Sequence, residues 1–109
     1  MEIRRGDLVI AAFPGDYGKP RPALVVQADG FGNLPSLTML PLTTEAEAAP
    51  LARINIVSTP ANGLLRQSDI MVDKVMTLSR TRIRQRIGQV DAETMDAVGL
   101  ALAAFLGLG

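Results

Sequence analysis

The sequence predicts a mainly β domain, a small antiparallel barrel with helical cover. Two observations carry that prediction. Five to seven short apolar or alternating runs are separated by turn-rich segments, and one long amphipathic run closes the chain. A third sets the scale: 109 residues hold one domain, spanning 1–109, with no room for a second. A chain of this length buries roughly two-thirds of its unfolded surface and folds without staples.

The elements follow in order. "DLVIAAF" at 7–13 is a continuous apolar run after the turn at Gly6, which predicts a well-buried strand. "PALVVQA" at 22–28 predicts a second strand, opened by a proline that fits a strand's first position. "DGFGNLP" at 29–35 is dense in turn residues and reads as a loop. "SLTMLPLT" at 36–43 is a strand with a bend marked by Pro41, and "TEAEAAPLA" after it is a loop with a helical turn. "ARINIVS" at 52–58 alternates Ile54 and Ile56 with polar neighbours, and the strands "SDIMV" and "KVMTL" follow the turn "TPANGLL". "SRTRIRQRIGQV" at 79–90 suits either a strand edge or one short helix. The last segment predicts a helix capped by Asp91 and ended by Gly107, with Glu93 and Asp96 near its positive end. Met95, Val98, Leu102, Phe105 and Leu106 form its apolar face.

Composition narrows the chemistry. The chain has no cysteine and no histidine. Zinc sites, Cys–His nucleophiles and histidine-based ribonuclease chemistry are therefore excluded, and no metal or cofactor is expected. Catalysis falls to Arg, Lys, carboxylates, hydroxyls or the lone Tyr17. "GDYGKP" lacks the spacing and the hydroxyl residue of a P-loop, and neither a dinucleotide fingerprint nor a calcium loop is present. The start has no apolar signal region and the apolar stretch at 98–109 is too short for a bilayer, so a soluble cytoplasmic protein is expected.

Net charge is zero but uneven. Residues 64–88 carry Arg66, Lys74, Arg80, Arg82, Arg84 and Arg86 against Asp69 and Asp73 alone. Such a run is either a solvated face or a track for an anionic polymer. In "GDYGKPRPALVV", Arg21 stands between Pro20 and Pro22. Flanking prolines reduce the freedom that a guanidinium loses on gripping a phosphate. An ordinary turn arginine is the alternative.

The order of these segments resembles the MazF/PemK family, the toxins of type II toxin–antitoxin pairs. The resemblance rests on "RRGDLVIAAF", "RPALVV", "LPLTT", "SDIMVDKVMTLSRTRI" and "IGQVDAETMDAVGLALAAFLGL", in that order from about residue 4 to 108. It implies an SH3-like, CcdB/MazF-like barrel that dimerises and cleaves single-stranded RNA without a metal, held in check by a cognate antitoxin with an acidic tail. The family's loop arginine and strand-end threonine fall on Arg21 and Thr43, its loop acid on Asp16, and the acid after its fifth strand on Asp73. Thr43 would donate to the phosphate or bond its own backbone; Asp16 would take the 2′-hydroxyl proton or serve the turn. Asp73 would orient Arg21 or pair with Arg66 or Lys74. Lys19 and Tyr17 would touch RNA backbone or a base, and Arg80, Arg82 and Arg84 would line an RNA or antitoxin track. The loop is shorter than the family's common form and lacks its Glu-Gln pair, and Met76 stands where a basic residue is common. A CcdB-like gyrase poison and a catalytically inactive RNA- or antitoxin-binding relative are the alternatives.

Overall fold

The computed structural model describes residues 1–15, 19–45 and 51–109. Its strands are β1 (Asp7–Ala12), β2 (Pro20–Val25), β3 (Ser36–Thr43), β4 (Arg53–Ile56), β5 (Ser68–Met71), β6 (Met76–Ser79) and β7 (Ile83–Gln89), followed by the helix α1 (Ala92–Phe105). All described pairings are antiparallel. The spatial order is β4-β5-β3-β2-β1-β7, with β6 on the remaining stretch of β3. The mainly β architecture with a C-terminal helix agrees with the expectation from the sequence.

The continuous apolar runs have a simple cause: the central strands are buried on both faces. Leu8 pairs with Leu24 and Leu24 with Leu40, a row of leucines that enters one core. Their neighbours Val9, Ala23 and Met39 form a second core on the opposite side. Each buried leucine contributes about 2 kcal/mol of apolar transfer free energy. Met95, Ala101 and Leu102 of α1 pack on the first core around the fully buried Val98. Phe105 and Leu106, expected on the same apolar face, are half exposed instead, because α1 runs past the edge of that core.

Pro41 sits inside a buried strand without breaking it. It pairs with Ala23 of β2, while on the other edge β3 meets β6 over 36–39 and β5 over 42–43. The residue without an N–H falls where β3 changes partner, so no ladder bond is lost.

The ambiguous arginine segment does both things that its pattern allows. A 3-10 turn covers Arg80–Arg82 and β7 follows. Among the described residues β4 and β7 end the sheet path without pairing to each other. The gap is bridged by the turn after β4, where Gln89 donates its backbone N–H to Ala61 O at 3.0 Å. Buried Asn62 holds that turn together: its amide donates to Val57 O at 2.9 Å and its Oδ1 accepts from Thr59 N at 3.0 Å. The close approach requires glycine on both sides. A Cβ at Gly63, where φ is +71°, would lie 2.1 Å from Ile87 O, and one at Gly88 would lie 2.4 Å from Ala61 O.

The remaining expectations place readily. β2 begins at Pro20 rather than Pro22, so Arg21 belongs to the strand. Gly6, at φ +94° just before β1, bridges the end of β2 and the residue after β7: its N–H donates to Val25 O and its carbonyl accepts from Val90 N. Asp7 beside it is buried, accepting from Arg4 N at 2.8 Å and pairing with Arg86 Nε at 3.1 Å. The expected helical turn after β3 falls mostly at 46–50, outside the described residues. Asp91 caps α1, its Oδ1 accepting from Thr94 N at 2.7 Å, and Gly107 at φ +73° ends it. No helix among the described residues is long and apolar enough to cross a membrane.

Candidate active site

The register of the sheet brings together two residues that stand 22 positions apart in the sequence. β2 and β3 pair from Val25–Met39 to Ala23–Pro41, and Arg21 and Thr43 lie just beyond the Ala23–Pro41 end of that pairing. Both line a cleft of about 260 Å³ with Pro22, Leu42, Thr44, Glu45 and Ser68. Arg21 is exposed at its strand end, whereas Thr43 is half-buried. Thr43 Oγ1 accepts from Glu45 N at 3.1 Å. That bond fixes the oxygen by its own backbone and leaves the hydroxyl proton to be donated into the cleft.

Chemically, this cleft pairs a planar, always charged fork with a neutral donor. A guanidinium takes two phosphate oxygens at once, and a hydroxyl adds a third donor. Next to it lies a second hollow of about 470 Å³, mostly apolar, lined by Ile10, Pro22, Thr44, Leu64, Leu65, Arg66, Ser68 and Ile87 among others. Pro22, Thr44 and Ser68 are common to both, so the two form one continuous groove.

Asp73 is placed differently from Thr43. It sits in the 3-10 turn Val72–Lys74 after β5 and does not line the cleft. Its carboxylate is gripped at two points by Arg53, Nε to Oδ1 at 2.9 Å and Nη2 to Oδ2 at 3.3 Å. The ion pair formed is therefore with Arg53, rather than the Arg66 or Lys74 pairing suggested by proximity in sequence. The Arg53 hydrogen bond holds the Asp73 carboxyl below the usual carboxylate range, against the opposing effect of burial. Arg53 went unnoticed in the sequence because the contact depends on β4–β5 register, in which Arg53 faces Met71.

The basic run is tied to the backbone of its own chain. Arg80 donates to Leu34 O at 2.7 Å and Gly32 O at 2.6 Å, Arg82 to Ala12 O at 3.3 Å, and Arg84 to Thr81 O at 3.5 Å. Lys19 is exposed at the approach to β2. Asp16 and Tyr17 lie outside the described residues. Among the described residues no three His, Cys, Asp or Glu gather as a metal site.

Sequence reasoning also passed over Asp69. It faces Thr43 across the β3–β5 pair, on the side away from Arg21. Only the strand register reveals this, since nothing in "RQSDIM" distinguishes that aspartate from any half-exposed strand residue.

An antiparallel sheet with one C-terminal helix is the fold of the MazF-like toxins, and a solved MazF of Deinococcus radiodurans superposes with a TM-score of 0.82 at 22% identity, covering 98% of each chain. A solved endoribonuclease in complex with its cognate antitoxin, from a mycobacterial species, superposes with a TM-score of 0.80 at 23% identity, covering 98% of this chain and 97% of that one. The chain belongs to the PemK-like, MazF-like toxins of type II toxin–antitoxin systems, whose family model matches residues 4–106. It is 45% identical over 107 residues to a probable endoribonuclease MazF of Mycolicibacterium smegmatis, covering 97% of this chain and 98% of the relative. It is 30% identical over 114 residues to the endoribonuclease EndoA of Bacillus subtilis, covering 99% and 97%.

Proposed function

We propose that the protein is a growth-inhibiting endoribonuclease that cleaves single-stranded RNA by transesterification, with no metal in the reaction. The observation that carries this reading is that Arg21 of β2 and Thr43 of β3 line one cleft. The endoribonuclease names of the two relatives support it. The ribose 2′-oxygen attacks the adjacent phosphorus, the 5′-oxygen leaves with a proton, and a 2′,3′-cyclic phosphate remains. Arginine is too basic to act as the base, so Arg21 stabilises the charge that builds on the pentacoordinate phosphate, and Thr43 donates one further hydrogen bond. Asp16 is the candidate to take the 2′-proton. Lys19, Tyr17 and Asp73 are supporting residues in this reading.

The partners follow from the same reading. A cognate antitoxin with an acidic tail would lie along the basic run of Arg80, Arg82 and Arg84, and the solved complex of a relative with its antitoxin supports such a partner. The active form would be a homodimer.

The purified protein, incubated with single-stranded RNA in excess EDTA, is expected to release fragments ending in cyclic phosphate and 5′-hydroxyl. An oligomer carrying one 2′-deoxy nucleotide at the scissile position should resist cleavage while still binding. Cutting of that oligomer at the normal rate would assign the attack to water and overturn the scheme. Intact RNA with tight binding would instead leave a binding protein without catalysis.

A further inference from the structure

We propose that Asp69, held in place by Asn55 and Gln67, reads the base beside the scissile phosphate and selects one that presents an exocyclic amine. This rests on the RNA-cleaving reading above. The observation behind it is a polar row that crosses three strands: Thr43 of β3 faces Asp69 of β5, and Asp69 faces Asn55 of β4. The row one residue away, Leu42, Ile70 and Ile54, belongs to or packs on the first core. The polar row therefore points away from that core, on the same face as Thr43, and its Asp69 and Asn55 flank the cleft of Arg21 and Thr43 rather than lining it. Asp69 stands roughly 5 Å from Thr43 at Cβ, and Asn55 one strand spacing further.

The hydrogen bonds of this row run in one direction. Gln67 donates its amide to Asn55 Oδ1, and Asn55 Nδ2 donates to Asp69 Oδ1 at 2.9 Å. Asn55 Nδ2 also reaches Ser68 O at 3.4 Å. Both amides are thereby oriented, and the chain terminates in a pure acceptor. Asp69 Oδ2 has no hydrogen-bond partner among the described residues, and Asp69 makes no ion pair with them. A carboxylate so placed repels phosphate, so what it can receive beside Thr43 is a base edge. Cytosine, adenine and guanine each offer an amine hydrogen that such an acceptor takes. Uracil offers only an N–H between two carbonyls, and these would face the carboxylate oxygens. Single-stranded bases are splayed out, so their Watson–Crick edges are open to such reading.

The test uses single-stranded oligomers that differ only at one nucleotide flanking the scissile phosphate, each flank in turn. The intact protein is expected to cut the best amine-bearing base about tenfold faster than uracil at one flank. Asp69→Asn replaces one acceptor by a donor and should bring that ratio below about threefold or reverse it. Asn55→Ala, which releases Asp69 without removing it, should lower the ratio and keep its sign. An unchanged base profile in both variants, each with a native thermal transition, would overturn the proposal. Should Asp69→Asn not fold, the Asn55→Ala ratio decides. The same oligomers with a 2′-deoxy scissile nucleotide separate the two readings by binding alone. If the protein cuts none of the RNAs, the catalytic reading fails, yet an amine preference in binding that Asp69→Asn removes would still support base reading. Binding indifferent to the base would overturn it.

Discussion

Arg21 and Thr43 are expected to fail in different ways, because one supplies charge and the other a single neutral bond. Arg21→Ala should lower RNA cleavage by several hundredfold, and Thr43→Ala by on the order of a hundredfold, with thermal stability retained in both. Arg21→Lys should remain defective, since an ammonium cannot reproduce the guanidinium's two parallel bonds. Gel-resolved initial rates decide this, and full activity in either alanine variant would remove that residue from the mechanism. Asp73 belongs to a different part of the energetics. Its side chain is 24% exposed, and that of its partner Arg53 is 5% exposed. Removing the acid takes from a buried guanidinium the carboxylate that it grips at two points, so Asp73→Leu should cost about 3 kcal/mol. Asp73 and Asp91 are both held below the usual carboxylate range, Asp73 by Arg53 and Asp91 by its hydrogen bond with Thr94. With folded values below unfolded ones, the unfolded chain takes up protons first. The stabilisation is complete above about pH 4 and disappears as the pH falls through the folded values. Urea titrations followed by circular dichroism should show stability dropping below that pH, and the drop should be shallower in Asp73→Asn.

At the scale of elements, the contact that brings the two ends of the sheet path together is the approach of the 59–63 turn to β7. Gly63→Ala places a Cβ 2.1 Å from Ile87 O at a φ of +71°, and Gly88→Ala places one 2.4 Å from Ala61 O. Both obstacles are backbone atoms, which cannot swing aside. Each substitution should cost roughly 3 kcal/mol, visible as a lowered Tm. Gly30→Ala, with nothing within 4 Å of its Cβ, is the control and should change little. The sequence alone announces a turn at "TPANGLL" but not its destination, because a long-range approach leaves no local pattern. The same limit explains the other differences. The runs in β1, β2 and β3 were legible as strands because both faces are buried, and α1 because its cap and apolar spacing are local signals. Arg21 and Thr43 were recognised through motif order, and the β2–β3 pairing, which ends at Ala23 and Pro41, carries both to one cleft. Arg53 with Asp73, and Asp69 beside Thr43, depend on pairing between β4, β5 and β3, which no spacing in the chain encodes.

Taken as a whole molecule, the protein is neutral yet divided, and its surface leaves two features for partners. The first is the basic run. Arg80, Arg82 and Arg84 each give donors to backbone carbonyls, which directs a guanidinium without consuming its five N–H groups. Neutralising all three should weaken RNA and an acidic antitoxin tail together, and flatten the salt dependence of both affinities. Unaltered binding of both would make the run a solvated face. The second feature is the C-terminal end of α1 and the residues after it. Leu100 is 76% exposed, Phe105 and Leu106 50% each, and Leu108 76%. Four large apolar side chains in the last ten residues are more than a small monomer ordinarily leaves to solvent. A second copy seated there would bury them against the same surface by two-fold symmetry, within the roughly 800 Å² per partner of a standard interface. Sedimentation at micromolar concentration is therefore expected to give about twice the 11.6 kDa chain mass. Phe105→Glu combined with Leu108→Glu should shift the protein to a single chain, because the charges would face each other across the symmetry axis. Since both positions are exposed in the isolated chain, the circular dichroism spectrum should be retained. A wild-type protein that sediments only at 11.6 kDa would sink the dimer. A double variant that remains dimeric would move the interface to another face.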